Sequence, residues 1–164
     1  MRKQLILGSL LAIGLIISVP LVHAQGGVKA GPDPTTIRDP ELEKDSLHNL
    51  EVARNYFKLK KAYVAALKRC EEIIAGNPNF ARIEEVLLIA GESSLSLADK
   101  KGKQAPTLYV TFDGTSKRTL TAAQFRDMGR DYLTRLITDH PQSQFRQQAE
   151  EDLKALGVPK STEP

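Results

Sequence analysis

Residues Leu50–Pro78 read LEVARNYFKLKKAYVAALKRCEEIIAGNP, and their spacing decides the fold. Leu50, Ala53 and Phe57, then Tyr63, Ala66, Cys70, Ile73 and Ile74, follow the three-and-four interval that gathers apolar side chains on one helix face. The stretch therefore predicts two helices joined by a short turn near Lys60-Lys61, the second stopped by Gly76 and Asn77-Pro78. Two antiparallel helices approach closely only where small side chains meet large ones, and here Ala53 and Ala66 face Phe57 and Tyr63.

This pattern, with its closing proline, resembles the roughly 34-residue tetratricopeptide (TPR) repeat, a helix–turn–helix unit. Arg54 and Lys61 stand where that repeat usually carries a small residue or glycine. A second copy follows. Ile83, Val86, Leu87, Ala90, Gly91, Ser94, Leu97 and Ala98 form one stripe, with Ala90-Gly91 at the close approach. Its partner stripe is Phe125, Gly129, Tyr132, Leu133, Leu136 and Ile137, ending in Asp139-His140-Pro141. The phrases EEIIAGNPNF and TRLITDHPQS are one element written twice: a helix end, a turn, a proline and the next helix start. Between the halves lies Lys101–Leu120, an insertion about twenty residues longer than the repeat's turn requires. Phe145, Ala149, Leu153 and Leu156 read as a capping helix. The expectation is an all-α, TPR-like array of antiparallel helix pairs, about five helices over residues 39–157, carrying a possible β-hairpin.

Local signals place the ends. Asp39-Pro40-Glu41 is an N-cap, a first-turn proline and a first-turn acid, starting a helix that runs to about Lys60. The second covers about Lys61–Ala75, and the third, capped by Asn79, about Phe80–Lys100 with a stop at Gly102. Thr121 and Gln124 have capping-box spacing for the fourth, which ends before His140-Pro141. Ser143 is the expected cap of the fifth, which stops at Gly157. Within the insertion, Leu108, Val110 and Phe112 alternate with polar residues before Asp113-Gly114, which suggests a hairpin; an irregular loop reads equally well.

Residues 1–24 read as an export signal: Arg2 and Lys3, then an apolar run from Leu5 to Val19, then Val22-His23-Ala24 before a mature N-terminus at Gln25. The alternative is an uncleaved anchor in the inner membrane, since the apolar run approaches spanning length. Gln25 stands where lipidation would need cysteine, and Cys70 is the one cysteine, so no internal disulfide forms. Residues 25–38, rich in Gly and Pro, are expected to be a flexible tether, and residues 158–164 a disordered tail. The net charge of +3 falls close to zero once Arg2 and Lys3 leave, which gives no argument for nucleic acid. Lys58-Lys60-Lys61 and Lys100-Lys101-Lys103 lie at helix ends, either as solvated turns or as a contact for anionic lipid or an acidic partner.

No catalytic, cofactor or metal motif is present in the sequence, and the expectation is not an enzyme. GESSL at Gly91–Leu95 lacks the second glycine of a nucleophile elbow and lies within a helix. The pairs Glu71-Glu72, Glu84-Glu85 and Glu150-Glu151 are helix neighbours pointing about 100° apart, so they make solvated faces. A repeat array offers instead a concave face lined by the first helix of each pair. Its positions would be His48, Glu51, Asn55 and Lys58, then Glu85, Leu88, Glu92 and Ser96. The acids there disfavour clamping a C-terminal carboxylate and favour a basic or mixed extended segment, or a helix.

The export signal, the helix pairs and the turns IIAGNPNF and LITDHPQSQF together resemble the BamD-like outer-membrane assembly family. The match falls on Ala66, Ile73, Ile74 and Pro78, then on Leu136, Ile137, Pro141, Ser143 and Ala149. It differs in lacking the lipidation cysteine and in its two pairs. The resemblance implies a periplasmic, non-enzymatic adaptor that binds other envelope proteins or peptides, with a possible peripheral membrane contact. A factor for peptidoglycan or Tol–Pal maintenance is the neighbouring reading. An exported enzyme subunit or small-ligand binder is the alternative from a different class.

Overall fold

The structure, a computed structural model, describes residues 38–157. The expected signal, the tether before Arg38 and the tail lie outside the described residues. The elements are α1 (Pro40–Arg54), a π-helical turn (Asn55–Lys60), α2 (Tyr63–Gly76), α3 (Ile83–Ala98), a 3-10 turn (Pro106–Leu108), β1 (Val110–Asp113), β2 (Ser116–Thr119), α4 (Ala122–Asp139) and α5 (Arg146–Leu156). Each helix packs on the next in chain order, so the fold is all-α, an array of antiparallel helix pairs with a hairpin between α3 and α4.

Several caps act as their residue types require. Asp39 accepts hydrogen bonds from the Glu41 and Leu42 amides, with Pro40 opening α1. Thr121 and Gln124 form a reciprocal capping box on α4. The α1–α2 turn is wider than a repeat's because α1 ends in a π turn, with Lys61 and Ala62 amides both returning to the Tyr56 carbonyl. Lys61 adopts a left-handed conformation, φ 49°, which explains why glycine suits this position.

Two expected caps do not act. Asn79 does not cap α3, which starts at Ile83; the Glu43 carboxylate of α1 accepts from the Ala81 amide instead. Glu43 and Ser46 also accept from the buried Asn77 side chain, latching the α2–α3 turn to α1. The Ser143 hydroxyl accepts from the Phe145 amide rather than from an amide of the helix, and α5 begins three residues beyond it, at Arg146.

The stripes are buried where the pattern placed them. Leu50, Ala53, Ala66, Cys70 and Ile73 form the first seam, with Phe57 and Tyr63 half-buried and packed edge to face at 5.5 Å. Burial raises the Cys70 thiol well above its ordinary pKa, which keeps it an inert packing group. Ala90, Leu133 and Leu136 form the second seam. At the α3–α4 crossing a Cβ on Gly91 would lie 2.7 Å from Leu133, and one on Gly129 2.6 Å from Leu95. Each glycine makes room for a leucine of the facing helix.

The hairpin is real, with Val110 opposite Thr119 and Asp113 opposite Ser116. Its relation to the core differs from the alternation, because Leu108 and Phe112 are exposed and Tyr109 is the buried residue. Tyr109 packs edge to face on Phe125 at 5.5 Å and donates to Glu71 of α2. The preceding loop contributes too: Gln104 accepts from the Ala65 amide in the uncapped first turn of α2. The insertion is thus part of the domain's packing, tied down by its first half.

Candidate functional site

A cleft of about 450 Å³ opens between the π turn, α3 and α5. Its wall from α3 is Glu92, Leu95, Ser96 and Asp99, a three-and-four row along one face. Phe57 forms one side; Asp152, Ala155 and Leu156 of α5 form the other. The apolar members give a contact area for side chains of a bound segment, while the carboxylates supply charge.

Of the expected groove residues, Glu92 and Ser96 line this cleft. Lys58 is exposed and close enough for its charge to lower the pKa of both Glu85 and Glu92. His48, Glu51 and Asn55 are exposed along α1 but do not line it. Glu85 is committed elsewhere: Arg54 grips it with two hydrogen bonds of 2.5 and 2.6 Å, and Arg82 adds a third at 3.1 Å. Burial alone would raise Glu85, but the bonds and charge of Arg54, with Arg82 and Lys58, hold it below the usual carboxylate range. Leu88 is not a groove residue at all. It is 6% exposed and belongs to the core, because α3 is covered on most of its circumference by α2 and α4.

Glu92 has the opposite electrostatics to Glu85. Burial, aided by the neighbouring Asp152 carboxylate, pushes its pKa up to about 6, against a hydrogen bond from Gln148 that lowers it. Asp152 is likewise raised by burial, and its Oδ2 is buried with no hydrogen-bond partner. Lys101 and Arg126 also line the cleft, but both pair with Asp99, so Glu92 and Asp152 make no ion pair among the described residues, an environment that favours an incoming cationic or hydrogen-bond-donating group.

Asp152 and Gln148 are not among the positions the repeat register brings to the groove, because α5 enters that register through its apolar row; their i, i+4 spacing on its polar face is the sequence signal that marks them. A second partly buried acid, Glu71, is raised by burial and restrained by the hydrogen bond from Tyr109 and the nearby charge of Lys68. Its role is to anchor the hairpin. Among the described residues no group of three His, Cys, Asp or Glu is arranged to hold a metal, and no helix is long and apolar enough to cross a membrane.

No protein-family model, curated protein or solved structure matches the chain.

Proposed function

We propose that this chain is an exported helical-repeat adaptor that holds a basic or mixed segment of another cell-envelope protein in the cleft between the π turn, α3 and α5. The observation that carries the reading is the cleft itself, walled chiefly by the π turn, α3 and α5 and holding Glu92 and Asp152, which make no ion pair among the described residues. Apolar side chains of the segment would lie on Phe57, Leu95 and Leu156, and a lysine or arginine would meet the carboxylates. Support for the envelope comes from the signal-like residues 1–24 and from the resemblance of both helix-pair turns to the BamD-like family.

The test is affinity capture from envelope extracts with the unaltered chain and with Glu92→Gln/Asp152→Asn, which keeps shape and removes charge. The expected result is partner recovery by the unaltered chain and its loss in the variant at unchanged helix content. Equal recovery by both would show that the cleft does not bind the partner.

A further inference from the structure

A second surface lies at the α1–α2 turn and does not depend on the cleft. Leu59 is the most exposed large apolar residue described, at 76%, and it stands on the π turn between Lys58 and Lys60-Lys61. Isolated exposed leucines are ordinary. This one is set apart by what the fold brings beside it. The loop after α3 folds against the same turn: the Lys103 amide donates to the Lys61 carbonyl at 2.9 Å, and Gly102 is packed so close that a Cβ would lie 2.5 Å from that oxygen. Two basic runs about forty residues apart in sequence therefore meet at one end of the domain.

Their charges are mostly unspent. Asp99, immediately before the second run, is shared by Lys101 at 3.1 Å and Arg126 at 3.2 Å. Lys58 lies close enough to Glu85 and Glu92 for its charge to act on both. Lys60, Lys61, Lys100 and Lys103 make no ion pair among the described residues; Lys60 rests over the Tyr56 ring at 5.1 Å. Lys61 and Lys100 hold left-handed backbone conformations, φ 49° and 55°, which end their helices and project the turns outward.

From this geometry we infer that the Leu59 turn docks on an anionic lipid surface. Leu59 enters the headgroup–acyl boundary, and the four lysines lie around it at phosphate level, their methylene stems along the apolar zone and their ammonium groups in the headgroups. A protruding apolar tip ringed by flexible cations needs no complementary shape, which a flat charged bilayer does not have. An acidic protein would be expected to meet an aromatic anchor, whereas the rings of this turn, Tyr56, Phe57 and Tyr63, pack against the core and leave the aliphatic Leu59 at its crest. Set apart from these lysines the rest of the described chain is weakly acidic, and the repulsion of an anionic surface by acids elsewhere is screened beyond about 10 Å, so the local cluster governs the approach. Phe57 and Lys101 line the cleft, so docking through this turn would hold the cleft beside the membrane.

The chain has no tryptophan, which gives a site-specific test in the full-length protein. Leu59→Trp reports the turn, and Leu42→Trp, 44% exposed at the far end of α1, is the control. Each is titrated with phosphatidylcholine vesicles, with and without about a third phosphatidylglycerol. The expected result is a blue shift for Leu59→Trp on anionic vesicles, reversed by about 0.5 M NaCl, and none for Leu42→Trp. Adding Lys60→Gln/Lys103→Gln should weaken the partitioning of Leu59→Trp roughly 20–30-fold at low salt. An equal shift at both positions, an equal shift on neutral vesicles, or a shift with soluble polyglutamate and none with vesicles would each overturn the inference. Because neither substitution touches Glu92 or Asp152, failure here leaves the cleft reading standing.

Discussion

Gly91→Ala puts a methyl group at the tightest point of the α3–α4 crossing. The new Cβ would lie 2.7 Å from both Cγ and Cδ2 of Leu133, about an ångström inside normal contact. Leu133 is fully buried, and its Cγ cannot swing away without moving α4. Overpacking of this kind costs about 1–3 kcal/mol. Alanine's higher helix propensity returns about 1 kcal/mol. The expected net loss is about 1–2 kcal/mol, a fall of roughly 3–8 °C in Tm for a domain of this size. Gly129→Ala makes a comparable approach to Leu95, at 2.6 Å, but to the terminal Cδ2, with Cγ at 3.0 Å. Leu95 is only half-buried at the cleft edge, so its methyl can rotate outward, but the Gly91 carbonyl oxygen at 3.1 Å is backbone and must shift slightly, so a net loss of about 1 kcal/mol or less is expected. Gly76→Ala meets nothing within 4 Å and should stabilise by about 0.5 kcal/mol. Urea and thermal denaturation of the three variants give the order directly. A Gly91→Ala midpoint at or above the unaltered chain's would refute the claim that the glycine sets the crossing.

Tyr109→Ala should cost about 3–4 kcal/mol by emptying its site against Phe125, whereas Tyr109→Phe should cost about 1 kcal/mol by removing the donor to Glu71; chemical denaturation separates the two. Replacing Lys103–Arg118 by a short Gly/Ser turn, which removes Tyr109 and the Gln104 cap, should lower the Tm sharply, and a deletion as stable as the full chain would show that the hairpin is peripheral. Arg54→Ala should cost about 1–2 kcal/mol by leaving the mostly buried Glu85 with only Arg82, checked by its urea midpoint. For pH dependence, a carboxyl raised in the folded state penalises folding once it ionises. The Glu92 penalty is therefore absent below its ordinary 4.5 and complete above about pH 6. Glu92→Gln should raise the Tm at neutral pH, and the gain should vanish in acid as pH falls through that window. Glu85, held low, acts in the opposite sense: its stabilisation is present above the usual carboxylate range and is lost as pH falls below it.

What was legible in the sequence was local. Asp39-Pro40, the Thr121–Gln124 box and the Gly157 stop act on amides and carbonyls within a few residues, so their chemistry is complete in one segment. The apolar rows were legible for the same reason, since helical periodicity follows from bond geometry and needs no partner to be read. Small residues at Ala90-Gly91 and Gly129 even announced a close crossing before its partner helix was known.

Other features required the packed molecule. Asn79 and Ser143 had the right type to cap, yet Glu43 reached the α3 amide from another helix and α5 started late. Alternation correctly suggested a hairpin, but could not say that Tyr109 would be the residue turned into the domain, because a strand's inner face is chosen by the surface it meets. Glu85 and Glu92 are alike in sequence, seven residues apart on one helix, and are driven in opposite directions. One lies within reach of two arginines, and the other lies beside Asp152. Likewise the two lysine runs are unremarkable turns until the loop after α3 folds onto the α1–α2 turn. The sequence alone determined helix number, order and apolar faces, which depend on short-range geometry. Tertiary packing alone decided which polar groups are paired, buried or left free, because desolvation and charge act through space between segments far apart along the chain.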